Sequence, residues 1–264
     1  MAGEALTPKF MLGSATVMIG AQEDLHMLGV GQSLGLVKNF SMKSTPGFAE
    51  LSQGVKNSLV ASIQNKNDVM CDMESYEYTA KNLTYAVSLD GSEVVSAGVA
   101  STTTAALTPT GGPPAVTPAI VPVVSATGMT AGKFLMVHAN SGDQIFMRRI
   151  VSVASLNVTV NAGFPVTIPS GAKVSVVSMV PVGSTKDNPY LAAKVVGQLA
   201  DNSWIGILLP KIRITSGISL GFKTDNFDNN PMQFTVYDLT AADPNYSDFV
   251  DTDGSIMKAQ IFLP

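Results

Sequence analysis

The sequence predicts a mainly β fold: an antiparallel β-sandwich or barrel domain with one α-helix packed on it, plus a small inserted β-barrel-like domain. Three observations carry this expectation. Short runs of alternating apolar and polar residues recur along most of the chain, the period-2 pattern of half-buried strands. Only one segment has helical spacing. A proline-rich, nearly uncharged stretch divides the strands into two sets. The 264 residues suffice for one large domain or two modest ones.

The first set of strands begins with Leu36 to Met42, where Leu36, Lys38, Phe40 and Met42 share one side. Ser44 to Gly54 contains Pro46-Gly47 and Gln53-Gly54 and reads as a polar loop. Ser58 to Gln64 alternates through Leu59, Ala61 and Ile63, and Val69 to Tyr78 alternates again with polar residues on both faces. The helix is Ala80 to Leu89, with Thr79 as N-cap and Leu83, Ala86 and Val87 at helical spacing. Asp90-Gly91 ends it, with Gly at the usual left-handed position.

From Ser101 to Pro122 there are prolines at 109, 113, 114, 118 and 122 and almost no charge. Proline fixes φ and removes a donor, so this stretch reads as an extended linker. Lys133 to Val137, Gln144 to Val153, Asn157 to Val160 and Lys173 to Val180 follow as short strands, with a turn at Asn140 to Asp143. This spacing suggests a small barrel or sandwich. The expected division is residues 1–107 and 184–264 for the main domain and 108–183 for the insert. Leu191 to Leu199, Trp204 to Ile214, Ile218 to Thr224, Met232 to Leu239 and Met257 to Phe262 complete the strands, with turns at Asp201 to Ser203 and Asn226 to Pro231.

Composition excludes several functions. Charged residues make up 14%, and 16 basic against 20 acidic side chains leave a net charge of −4. A nucleic-acid-gripping protein would show a basic face instead. One cysteine, Cys71, rules out an internal disulfide framework, and with only His26 and His138 little is left for metal or thiol chemistry. No apolar run reaches the ~18 residues of a membrane helix. Phe10 to Ala21 imitates a short secretory core, but Gly13, Ser14 and Thr16 interrupt it and Glu23-Asp24 follow.

No strong catalytic signature is present, so no catalytic, cofactor-binding or metal-binding residue is nominated. Gly29 to Gly35 resembles a phosphate-cradling loop but misses GxGxxG by one residue; it reads better as a Gly-rich arm. Asp225 to Asn230 and Asp251 to Gly254 read as Asx-rich turns, since no acidic residue follows Asp253 to complete a calcium loop. His138, Ser141 and Asp143 fall within six positions of one turn, whereas triads assemble from separate elements.

Lys81 to Gly91, directly after the strand Met70 to Tyr78, resembles the strand-then-helix stretch of tailed-bacteriophage tail tube proteins. Ile207 to Phe222, followed by Pro231 to Phe234, is similar to the C-terminal strands of that family. Gly142 to Gln144, Arg148 to Val153 and Ile168 to Val174 resemble a β module inserted in some members. The resemblance implies a structural virion protein, a major tail protein, forming stacked and usually hexameric rings. It would be assembled in the host cytoplasm and reside in the virion tail. The implied partners are other copies of the chain and the tail terminator, tail tip and tape measure proteins. Phage DNA would pass through the lumen without specific binding, and no membrane and no cofactor are involved. The inserted domain would lie on the outer surface. Asp72, Glu74 and Glu77 are the candidates for a lumen that lets DNA slide. Pro46, Gly47, Phe48 and Glu50 are candidates for a loop between rings or subunits, with Gly29 and Gly31 of the Gly-rich arm second. The alternatives are an exported bacterial surface or adhesin-like β protein, and another virion protein such as a capsid decoration protein.

Overall fold

A computed structural model of the chain describes residues 11–53, 58–91, 100–109, 117–139, 144–183, 187–216, 218–219, 221 and 229–264. The strands in chain order are β1 (Met11–Gly20), β2 (Val37–Gln53) and β3 (Ser58–Ser75), then helix α1 (Ala80–Ala86). Next come β4 (Ser101–Thr102), β5 (Ala119–Pro122), β6 (Phe134–His138), β7 (Ile145–Ala154), β8 (Asn157–Val160) and β9 (Lys173–Val177). The last are β10 (Leu191–Leu199), β11 (Trp204–Ile214), β12 (Asn230–Val236) and β13 (Gln260–Phe262). The fold is mainly β, and every strand pair is antiparallel.

The chain forms two compact units, one from Met1–Gly91 with Pro181–Pro264 and one from Ser92–Val180. The second unit starts ahead of residue 108. Residues 101–107 are not a linker, because β4 pairs with β9 and Leu107 bridges Ile168. Uncharged Ser101 to Thr103, with β-branched Thr102 and Thr103, suits a strand as well as it suits a spacer.

The first unit is a sheet in the order β1-β10-β11-β12-β3-β2, with β13 also on β11. The chain leading into β2 returns to the opposite edge strand. Met18 bridges Ser33, and the Leu34 N–H donates to the Val17 carbonyl at 2.9 Å. The sheet therefore curls. Its concave face holds Val17, Val37, Cys71, Leu209, Ile212, Phe234 and their neighbours, and α1 contributes Tyr85 and Ala86. A register shift between Leu191 and Ala193 lets both Leu209 and Ile212 face this core, although they are of opposite parity. On the other face, Met18 and Ala192 are covered by Leu25, Leu28, Leu239 and Phe249. Tight 3₁₀ turns at Gln22–Met27 and Tyr246–Phe249 bring in Leu25 and Phe249.

Thr79 caps α1 by accepting from the Asn82 N–H at 3.1 Å. The helix ends sooner than expected, at Ala86. Ser88, with φ 65°, takes the left-handed position just after the helix, and Gly91 is left-handed as expected, with φ 81°. The Leu89 and Ser88 N–H groups reach back to the Thr84 and Tyr85 carbonyls, and the Ser88 hydroxyl donates to Ile214 at 3.0 Å. The Tyr85 hydroxyl donates to the Ile19 carbonyl at 3.1 Å, tying the helix to β1. Burial, then the charge of Asp90, pushes the Tyr85 phenol up to about 12.

The second unit is a closed barrel. Its order is β4-β9-β6-β7-β8-β5. Beyond β4 and β5, Thr103 bridges Val123, and the Thr104 and Val124 N–H groups donate to Pro122 and Thr102. Val121, Val123, Leu135, Val137, Val158, Val160, Val174 and Val176 fill the interior from alternate positions. Pro122 ends β5, its carbonyl still accepts from the Thr104 N–H, and the pairing continues through Val123.

Candidate subunit interface

The longest strands, β2 and β3, form one hairpin of 17 and 18 residues. The Ser44 to Gly54 loop expected from sequence is thus strand through Gln53, with Gly54 outside the described residues. Pro46 is accommodated opposite Asn67, and register shifts at Gly47/Phe48 and Leu51/Ser52 absorb the irregularities. A side chain on Gly47 would press into the Lys66 side chain, which lies across the glycine.

At its root the hairpin belongs to the sheet, and β12 pairs with β3 from Val69 to Ser75. Beyond that, β3 from Ser58 to Asp68 has β2 on one edge and no strand on the other among the described residues. The outer half is an arm whose described side chains are exposed on both faces, apart from half-buried Asn67 and Asp68. Its pairs Ala49–Ile63 and Leu51–Ala61 set four apolar residues on one face. Leu51 is 63% and Ile63 69% exposed. Phe48–Gln64 and Glu50–Ser62 lie on the opposite, more polar face. A two-stranded ribbon is marginal alone in water. Among the described residues the outer half of the hairpin pairs with no further strand, and one of its faces is apolar.

Pro46, Gly47, Phe48 and Glu50 are therefore brought together on one strand of the arm. Sequence reasoning missed Ala49 and Leu51, because Pro46-Gly47 suggested a loop and hid their alternation. At the arm's root an open cleft of about 610 Å³ is lined by Met42, Val69, Ile256, Met257 and Ile261, with polar residues between them.

Gly29 and Gly31 lie elsewhere, around the tight turn Val30–Gln32. The Gly29 N–H donates to the Gln32 side chain at 3.2 Å, and the Gly31 carbonyl accepts from Lys81 at 2.9 Å. This segment packs against the unit through Leu28 and Leu34, which are buried. Gly35 has φ +75°, and a side chain there would collide with the Glu77 carboxylate.

The three acidic candidates separate. Asp72 and Glu74 share the outward face of β3, opposite Cys71 and Met73 in the core. Glu77 lies beyond the strand and accepts from the Leu36 N–H at 2.9 Å. Asp72 accepts from Gln233 at 2.7 Å. Hydrogen bonds from the Tyr76 hydroxyl, then Asn39 and Asn229, hold the Glu74 carboxyl below its ordinary range. Across the ladder Lys38 faces Glu74, and Lys43 faces Met70 beside Asp72. This face is mixed in charge rather than acidic. Burial, then the charge of Asp72, pushes the Cys71 thiol up to about 12, which leaves it unreactive.

Among the described residues no group of three or more His, Cys, Asp or Glu side chains could hold a metal ion, and no helix is long and apolar enough to cross a membrane. His138 ends β6, while Ser141 and Asp143 fall outside the described residues, as does most of Asp225 to Asn230. Asp253 accepts from the Ser255 N–H two residues on, the Asx-turn arrangement, and Asp251 accepts from the adjacent Thr252 N–H. No known family model matches the chain, and no curated protein matches it.

Proposed function

We propose that the chain is a structural subunit that polymerises through its β2–β3 arm, and that the polymer is a bacteriophage tail tube. The observation that carries this reading is the arm itself: an amphipathic ribbon with exposed Leu51 and Ile63 and, among the described residues, no further strand on its edges. Such a ribbon is an aggregation hazard unless a partner covers it. Contacts between unlike patches of identical subunits close into rings or stack into fibres, and a tube needs both. The resemblance of the helix segment and C-terminal strands to tail tube proteins supplies the identity of the polymer. In this reading the chain has no catalytic role. It resides in the virion tail, assembles in the host cytoplasm, and meets the tail terminator, tail tip and tape measure proteins. The mixed Lys38, Lys43, Asp72 and Glu74 face would suit a wall that DNA passes without binding.

Negative-stain electron microscopy of the untagged protein over a concentration series tests the proposal. Hollow tubes or rings with a regular axial repeat are expected, with L51E and I63E variants remaining folded and unassembled. Dispersed monomers that persist with tail-tip initiators present would overturn it and favour the exported surface protein.

A further inference from the structure

The barrel carries an open cleft of about 580 Å³ across β4, β9 and β6. We propose that this cleft binds a small organic anion: a carboxylate or phosphate carried on a hydroxyl-rich, sugar-like group. The inference does not depend on polymerisation, because the lining lies wholly within the second unit.

The ladder brings the lining together. Val137 pairs with Val174, so the same register sets His138 opposite Lys173 on the outward face. Thr102 pairs with Lys173 on its other side. One row across three strands therefore presents a hydroxyl, an ammonium and an imidazole. Ser175 adds a second hydroxyl, and Ala100 and Val124 add an apolar wall. Among the described residues no carboxylate lines the cleft.

Charge distribution points the same way. Within residues 92–180 the basic residues are Lys133, Arg148, Arg149 and Lys173 and the acidic ones only Glu93 and Asp143. That balance is +2, against −6 for the rest of the chain. Two of the other three cations are engaged, while Arg149 is exposed on β7, outside the cleft lining. Lys133 donates to the Gly128 carbonyl at 3.1 Å, and Arg148 donates to Gly163 at 3.0 and 3.1 Å while lying over Phe146 and Phe164. Lys173 has no such bond among the described residues; it is exposed and lines the cleft. An ammonium suits an anionic oxygen as a point charge. Thr and Ser hydroxyls both donate and accept, which suits a ligand bearing hydroxyls of its own. The volume falls in the range of small-ligand sites.

The test is a titration of the full-length protein, followed by calorimetry and by amide chemical shifts. The probes are glucuronate, glucose 6-phosphate, inorganic phosphate and glucose. At least one of the two sugar anions should bind with a Kd of about 1 mM, a typical value for one charge-assisted contact with a few hydroxyls. Glucose and inorganic phosphate should each bind at least about tenfold more weakly, since each lacks one half of the recognition. K173A should lose about tenfold, and K133A, on the same barrel, should lose nothing. Which sugar anion binds distinguishes carboxylate from phosphate. Failure of both to bind, equal binding of glucose, or an unchanged K173A affinity in a folded variant overturns the proposal. Inorganic phosphate binding as tightly as glucose 6-phosphate overturns its hydroxyl-rich part.

Discussion

The Lys211–Asp243 pair shows how a single charged contact holds the first unit. Lys211 is 8% exposed, and its ammonium meets the Asp243 carboxylate at 2.7 Å. It also lies 4.7 Å from the Tyr190 ring, which Arg213 stacks at 4.2 Å. Burial alone would raise the Asp243 carboxyl. Hydrogen bonds from Lys211 and from the Thr240 N–H and hydroxyl outweigh it and hold the group below its ordinary 3.8. A depressed carboxyl contributes stability above its unfolded pKa and loses that contribution as pH falls through its folded pKa. K211M should therefore cost about 3 kcal/mol at neutral pH, because an uncompensated carboxylate is left behind. That deficit should shrink as pH falls below the ordinary 3.8 and through the depressed pKa of Asp243, where the carboxylate takes up a proton. Urea midpoints of both proteins across this pH range read it directly. A second residue-scale expectation concerns the mixed face of β3. If it lines the tube, D72K with E74K should slow DNA ejection from particles that still assemble tails, because a basic wall would hold phosphates. Unchanged ejection kinetics would move the lumen to another face.

At the scale of elements, the arm contrasts with the strands behind it. Val69, Cys71 and Met73 of β3 enter the core, whereas Leu59, Val60 and Ile63 of the same strand stay exposed. The inner half of the hairpin therefore gains burial, at roughly 25 cal/mol per Å² of apolar surface. The outer half gains almost none within one subunit. Replacing residues 46–67 by a two-residue Asn-Gly turn should leave the melting temperature within about 2 °C of the parent, since no core contact is removed. The same replacement should abolish assembly as seen in the microscope. The helix was legible because Thr79 caps it and its apolar spacing is regular. Its end was not, because a serine holds the left-handed position through a side-chain bond to Ile214, a residue 126 positions away. The arm was misread as a loop for a related reason. Proline and glycine mark breaks on average, but bulges at Gly47/Phe48 and Leu51/Ser52 let a ladder run through them.

At the scale of the whole chain, the two units have separate cores, one curled sheet and one closed barrel. Calorimetry should resolve two unfolding transitions, and a chain lacking residues 92–180 should keep the one that belongs to the sheet. A single cooperative transition would mean the cores are coupled. The sequence by itself determined the fold class, the existence of an inserted β module and most strand positions. These follow from local alternation, β-branched content and turn residues, which act over a few residues. Tertiary structure alone decided that the Ser101 to Thr103 segment closes a barrel and that Glu77 leaves the company of Asp72 and Glu74. It alone decided that Leu51 and Ile63 share an exposed face. The first depends on pairing between distant segments, the second on where β3 ends, and the third on the register within one hairpin, where a slip of one residue would reverse every face.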